Sequence, residues 1–369
     1  MKDPRVGKLA DLLVNYSLGV QPKQKVMIQG ESGGEALMMA VFDKCLQKGA
    51  YPFIFNYPTH FYDSIFRYAS PEMYKGLLEP LKEMVKTYDM RIRILGEENT
   101  KELSKFNLDN MTKFYAEAGK ISKIMLDREA KGEMKWVLAL FPTQAYAQDA
   151  DMSPIDYEDF VYNACMPDPE DPIGYWKKFA ARQDKIINWL KGKEKVHVTA
   201  SETDLTLSIK ERPFINCACK VNVPDGEVFT SPVEDSAEGH VYYSYPTLYQ
   251  GFEVTGVRLW FEKGKVVKAT AEKNEEFLHK KLDTDAGSRY LGEFAIGTNE
   301  GIQQFTGQIL FDEKIGGRFH MALGHGYPES KSQNESAIHW DMICDLRHGG
   351  KIYVDDELFY ENGKFMIDF

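Results

Sequence analysis

The chain has 369 residues, more than one hydrophobic core usually organises, so two domains or one large domain with a second lobe are expected. A hydrophobic fraction of 43% beside 27% charged residues places it among globular proteins and excludes disordered, collagenous and membrane classes. The formal net charge of -11 excludes nucleic acid or an anionic lipid surface as the main partner, because both repel an acidic protein.

In chain order, apolar positions recur every three to four residues from Arg5 to Tyr16, which predicts a helix. Lys25 to Gln29 reads as a short buried strand, Glu35 to Lys48 as a helix, and Tyr51 to Phe55 as a second strand after the turn at Gly49. Strands at Met90 to Leu95 and Trp136 to Phe141, with helices at Met73 to Tyr88 and Met111 to Arg128, continue the βαβ order and imply a mainly parallel sheet flanked by helices. The helical Tyr175 to Leu190 is expected to close this lobe, and Lys191 to Lys195 reads as a linker. Beyond it, His197 to Ile209, Val241 to Tyr245, Thr255 to Phe261 and Val266 to Glu272 alternate and are rich in β-branched residues, with a turn around Gly264 and one helix at Asn274 to Leu282. The expected fold class is therefore α/β, with an N-terminal α/β domain over residues 1–190 and a C-terminal β-rich (α+β) domain over 195–369.

No apolar run approaches the roughly 18 residues that cross a bilayer, and Met1 to Leu12 lacks the apolar stretch of a signal peptide. Five scattered cysteines fit reduced thiols better than a disulfide framework, so a cytoplasmic location is expected.

Gly30-Glu31-Ser32-Gly33-Gly34 matches the G-x-S-x-G elbow of serine hydrolases between a predicted strand and helix. Such an elbow normally sits on a central strand, and only one strand precedes it here. The spacing also fits neither dinucleotide nor P-loop phosphate patterns. A tight βα turn with Ser32 capping the helix is the simpler reading.

The second half is more informative. Five of the eight histidines fall between His279 and His348, with acids beside them. In His339-Trp340-Asp341 a strand would turn the first and third side chains to one face, offering nitrogen and oxygen ligands to one metal centre. A short H-x-D triplet arises by chance, and its bland alternative is a surface pair or a hydrogen-bonded core histidine. His320 in Phe319-His320-Met321-Ala322-Leu323-Gly324, Glu227 in Glu227-Val228-Phe229 and Glu293 in Leu291-Gly292-Glu293-Phe294 are likewise flanked by apolar residues. Buried acids require Arg, Lys or metal partners. Two imidazoles with several carboxylates suit zinc, cobalt or manganese, and that many acids can hold two ions.

The blocks Pro224 to Pro232, Leu291-Gly292-Glu293, His320 to Gly324 with Tyr327-Pro328, and Asn334-Glu335-Ser336 with His339-Trp340-Asp341 occur in that order. This succession, with Leu9 to Ser17, Val20-Gln21-Pro22 and Lys25-Val26, resembles the thermophilic aminopeptidase T family of dinuclear metallo-aminopeptidases. The resemblance implies that Glu227, Glu293, His320, His339 and Asp341 hold two divalent metal ions (zinc, cobalt, manganese or magnesium), with Glu293 a bridge. It also implies that Tyr327 stands at the reacting carbonyl, that an acid matching Glu313 lies near the metals, and that the enzyme is a homodimer acting on peptides with a free N-terminus. The interval from Glu313 to His320 is about two residues longer than the family's usual one. His325 falls where no ligand is expected.

Peptide hydrolysis requires an activated water, a stabilised oxyanion and a protonated leaving amine. Glu293 or Glu313 is the candidate base and acid, and Tyr327 the candidate oxyanion donor. A structural tyrosine beside Pro328 is the alternative for Tyr327. Alternatives for the whole protein are another dinuclear hydrolase (amidase, dipeptidase or phosphoesterase) and a metal-binding protein without turnover.

Overall fold

A computed structural model of the chain describes residues 3–249 and 252–367. It divides into two compact units, one of residues 1–173 with 219–224 and one of 174–218 with 225–369.

The first unit carries a five-stranded, all-parallel sheet. Lys25–Glu31 lies between Tyr51–Tyr57 and Met90–Leu95, and Lys135–Leu140 and the short Asn222–Val223 complete the order. Val26, Met27 and Ile28 are all fully buried, as strands covered on both faces must be. Met27 packs with Val85 of the helix Tyr74–Thr87 and with Ile121 and Met125 of the helix Leu108–Ala130. The expected first helix is Pro4–Asp11, extended to Leu18 by a π-type segment that Gly19 ends in the left-handed region. Helices Phe61–Tyr68, Gln144–Asp149 and Pro154–Cys165 are additional to those expected.

Two sequence expectations are altered here. Ser32 does not cap the following helix; its hydroxyl donates weakly to the Tyr57 carbonyl at 3.4 Å and accepts from Asn56 at 3.3 Å. The helix Pro172–Leu190 does not close the first lobe but belongs, from Gly174 on, to the second unit. Its Ile186 and Leu190 enter the second unit's core, and its Gln183 bonds Asn216 and Thr298.

The second unit contains an eight-stranded sheet, a two-stranded ribbon and a five-stranded antiparallel sheet. The alternating, β-branched stretch from His197 to Ile209 is a hairpin, Lys195–Ala200 with Thr203–Ser208. The five-stranded sheet runs His339–Asp345, Arg318–Gly324, Leu291–Gly297, Glu227–Thr230, Ile215–Cys217. Phe294, Ile296, Phe319, Met321, Leu323, Trp340 and Met342 line one of its faces and form the core with Val228. With period two, the residues between them occupy the opposite face. Among the described residues, no helix is long and apolar enough to cross a membrane.

Candidate metal centre

Strand register assembles the site. Glu293 lies opposite Ala322, and Ala322 opposite Asp341. His320 lies opposite Ala295, Glu227 opposite Gly297, and His339 opposite Gly324. Glu293, Ala295 and Gly297 alternate along one strand, as do His320, Ala322 and Gly324 along the next, so all five predicted ligand residues share the face away from the core. The intervening residues are small, which leaves room above the sheet. A side chain at Gly297 would meet the Ile315 carbonyl at 2.2 Å, and Gly324 has φ of +94°. Neither position admits a larger residue without strain.

The ligand atoms converge. Those of Glu227, Glu293 and His320 lie within 4.8 Å of one another, as do those of Glu293, His339 and Asp341. Glu293 belongs to both groups: its Oε1 is 3.2 Å from His320 Nε2 and its Oε2 3.6 Å from His339 Nε2. Glu227 and Glu293 are 5% and 4% exposed and His320 is 1% exposed. His339 Nδ1 is 2.7 Å from the His325 carbonyl oxygen. A carbonyl only accepts, so Nδ1 carries a proton, and Nε2 is the nitrogen that faces Glu293 and Asp341. His325 thus contributes its backbone, which fixes the orientation of the His339 imidazole. Burial holds its own ring below the ordinary histidine range.

Glu313 reaches the site despite its longer interval: it forms a third group with His320 and Asp341 within 4.8 Å. The short helix Ile309–Asp312 ends immediately before it, and the chain then turns through Gly316 and Gly317. Asn299 pins this turn through Asn299 N to the Lys314 carbonyl at 3.0 Å and Gly316 N to the Asn299 carbonyl at 3.1 Å. Tyr327 packs over the centre, its ring 5.3 Å from that of His339 and 5.6 Å from that of Phe229. A cavity of about 150 Å³, lined by apolar Leu248, Phe305 and Ile343 and by polar Thr247, Gln308 and Asp312, adjoins Asp341.

Sequence reasoning missed two contributors. Lys314, 1% exposed, lies 2.5 Å from Glu227 Oε1, 2.7 Å from Glu313 Oε1 and 3.8 Å from Asp225 Oδ1. A lysine beside Asp312 and Glu313 reads as a surface residue, so no sequence signal marks it. Thr247 accepts from Trp340 Nε1 at 2.6 Å and donates to the Asp341 carbonyl at 2.9 Å, bracing the strand between the two ligand residues.

The electrostatics show a shortage of positive charge. Burial opposes protonation of His320 and His339, yet Glu293 and Glu227 raise the first to about 9, and Asp341 and Glu293 the second to about 10. Burial pushes Glu293 and Glu313 upward, against neighbouring cations. Burial also opposes the charge on Lys314, but Glu227 and Glu313 hold it well above the usual lysine range. Burial opposes ionisation of Asp341 too, but His339 keeps it low. Among the described residues, Glu227 Oε2 and Asp341 Oδ1 are buried and accept no hydrogen bond. Of the five carboxylates here, Asp225, Glu227 and Glu313 face Lys314, while Glu293 and Asp341 face the two imidazoles. The donor set fits divalent metal ions, since neutral imidazole and carboxylate suit zinc, cobalt and manganese.

The profile of thermophilic metalloproteases (M29) matches residues 2–365. The chain belongs to this M29 family. Among curated M29-like relatives, aminopeptidase T of Thermus thermophilus is 30% identical over 228 residues, a match spanning about half of either chain (55% of each). Aminopeptidase 2 of Geobacillus stearothermophilus is 25% identical over 386 residues, 92% of each chain. A solved structure of wild-type AmpT from Thermus thermophilus shares the fold, with a TM-score of 0.85 and 21% identity over 99% of both chains. A dihydroxypyridine dioxygenase from Pseudomonas putida also shares it, with a TM-score of 0.61 and 14% identity over 99% of this chain and 97% of that one. One scaffold therefore carries more than one chemistry, and the function of this M29 chain has to be argued from its site.

Proposed function

We propose that this metalloprotease is an aminopeptidase that removes N-terminal residues from peptides at a centre for two divalent metal ions. The carrying observation is the placement of Glu293, each of whose oxygens faces a different histidine, as a bridging carboxylate must. In this reading Glu227, Glu293 and His320 hold one ion, and Glu293, His339 and Asp341 the other. The ions, when bound, lower the pKa of water to about 7 and polarise the scissile carbonyl.

The chain's own residues do the rest. With both oxygens of Glu293 committed, Glu313 is the carboxylate left to take the proton of the attacking water and pass it to the departing amine. Tyr327, beside His339, donates its hydroxyl hydrogen to the oxyanion as charge develops. The cavity beside Asp341 receives the side chain of the released residue. The reading also carries a homodimer and a cytoplasmic location, the first tested by light scattering and the second by fractionation.

The deciding experiment combines elemental analysis with hydrolysis of aminoacyl p-nitroanilides by the wild type and by His339→Ala and Glu293→Ala. Two equivalents of metal after reconstitution, with cleavage of free but not blocked N-termini that both variants lose, is the expected result. Metal binding without such cleavage points to another hydrolase and defeats the reading.

A further inference from the structure

Three carboxylates, Asp225, Glu227 and Glu313, converge on the Lys314 ammonium. Its nearest partners are specific atoms: Oε1 of Glu227 and Oε1 of Glu313. The other Glu227 oxygen, Oε2, is the one left 3.3 Å from His320 Nε2. A buried carboxylate with one oxygen fixed by a charged donor has a single oxygen to offer a metal, and its orientation is set before any ion arrives.

We propose that Lys314 is a positioning residue of the metal centre, a tethered cation that takes Oε1 of both Glu227 and Glu313. Glu227 is thereby limited to ligation through one oxygen, and Glu313 is kept beside the centre as a free carboxylate instead of becoming a further ligand. Consecutive placement in the chain enforces this, because the pinning of the Lys314 and Gly316 backbone to Asn299 fixes Glu313 and Lys314 together. Lys314 also stands against Asp225 and Glu227, which with Cys217 form another group of potential ligands. Like charges at this spacing repel, so removing the ammonium frees both glutamates to move. The inference rests on the aminopeptidase reading for its kinetic test, but not for its structural one.

The structural test is a crystal structure of the wild-type protein loaded with zinc. Lys314 Nζ within hydrogen-bonding distance of both Oε1 atoms, with neither of them on an ion, is expected. An ion on either Oε1, with Lys314 turned away, overturns the proposal. The kinetic test uses Lys314→Met, which keeps volume and removes charge: kcat should fall roughly 10- to 100-fold, as when a ligand's supporting partner is lost, and KM should stay within about threefold. Wild-type kcat in a folded, metal-loaded Lys314→Met overturns it. In Lys314→Ala, n-propylammonium should restore activity and n-propanol should not. Equal recovery with both would mean that Lys314 serves packing alone, and would also overturn the proposal. A wild type that cleaves no aminoacyl substrate would defeat the proposed function, whereas the zinc-loaded structure would still decide the role of Lys314.

Discussion

Both units bury charge, and they do so differently. In the parallel sheet of the first unit, Arg93 and Glu31 are 16% and 14% exposed and pair directly; the second Glu31 oxygen accepts from Gly96 N at 3.0 Å. One cation meets one anion directly. In the antiparallel sheet of the second unit, Asp225, Glu227 and Glu313 share one lysine, Glu293 and Asp341 face imidazoles, and buried oxygens of Glu227 and Asp341 accept no hydrogen bond among the described residues. An unmatched buried charge is too costly to keep, so the first pattern suits a structural pair and the second suits the candidate metal centre.

The sharpest way to break this contrast is to remove the bridge. Glu293→Ala should lose both ions and lower kcat at least about 10^3-fold, because each ion contributes to nucleophile and carbonyl activation. Elemental analysis with steady-state kinetics checks it, and an active variant would show that the carboxylate excess serves something else. Arg93→Ala is the counterpart: it should leave metal content unchanged while costing about 3–5 kcal/mol in urea unfolding, the loss typical of a buried pair broken on one side. Loss of metal from a folded Arg93→Ala would dissolve the contrast.

Tyr327→Phe should lower kcat about 10^2-fold with KM little changed, the effect of one oxyanion donor. A change confined to KM would make the tyrosine a binding residue. Proton linkage sharpens the picture further. His320 and His339 are raised to about 9 and about 10, so below those values each holds a proton that an incoming ion must displace. Zinc affinity should therefore rise with pH between 6 and 8, by about tenfold per unit for each histidine deprotonated. Titration calorimetry in buffers of different ionisation enthalpy measures the protons released.

The smallest effect expected is at Asp345, a paired charge within the second unit. Burial opposes its ionisation, but hydrogen bonds from Arg347 lower it to about 2. A depressed carboxylate stabilises the fold above its ordinary pKa of about 4, and that contribution is lost as pH falls from 4 towards 2. Asp345→Asn should cost about 1–2 kcal/mol at neutral pH, discounted for partial exposure, and should flatten the acid limb of the stability profile.

Much of the fold was legible from periodicity. The first four parallel strands and the helices Glu35–Gln47, Tyr74–Thr87 and Leu108–Ala130 lie within a few residues of expectation, because buried strands and amphipathic helices write their period into the chain. The helix Phe61–Tyr68 and the pair Gln144–Asp149 and Pro154–Cys165 escaped because they are short or lie among Pro- and Asp-rich residues. Sequence assigned the helix Pro172–Leu190 to the wrong side of a boundary, since its apolar stripe shows that it packs but not on what.

In the candidate centre, the sequence by itself determined the local part. His339 and Asp341 are two apart on a strand and share a face whatever the fold, and the apolar neighbours of Glu227, Glu293 and His320 mark them as buried. Only the tertiary structure decided the rest. Antiparallel register set Glu293 between two histidines from different strands, and a turn pinned to Asn299 brought Glu313 within reach. The same turn carried Lys314 among three carboxylates, and a carbonyl rather than the ring of His325 oriented His339. The reason is physical: periodicity records which way a side chain faces within its own element, whereas the atom it meets across the sheet depends on how separate segments pair.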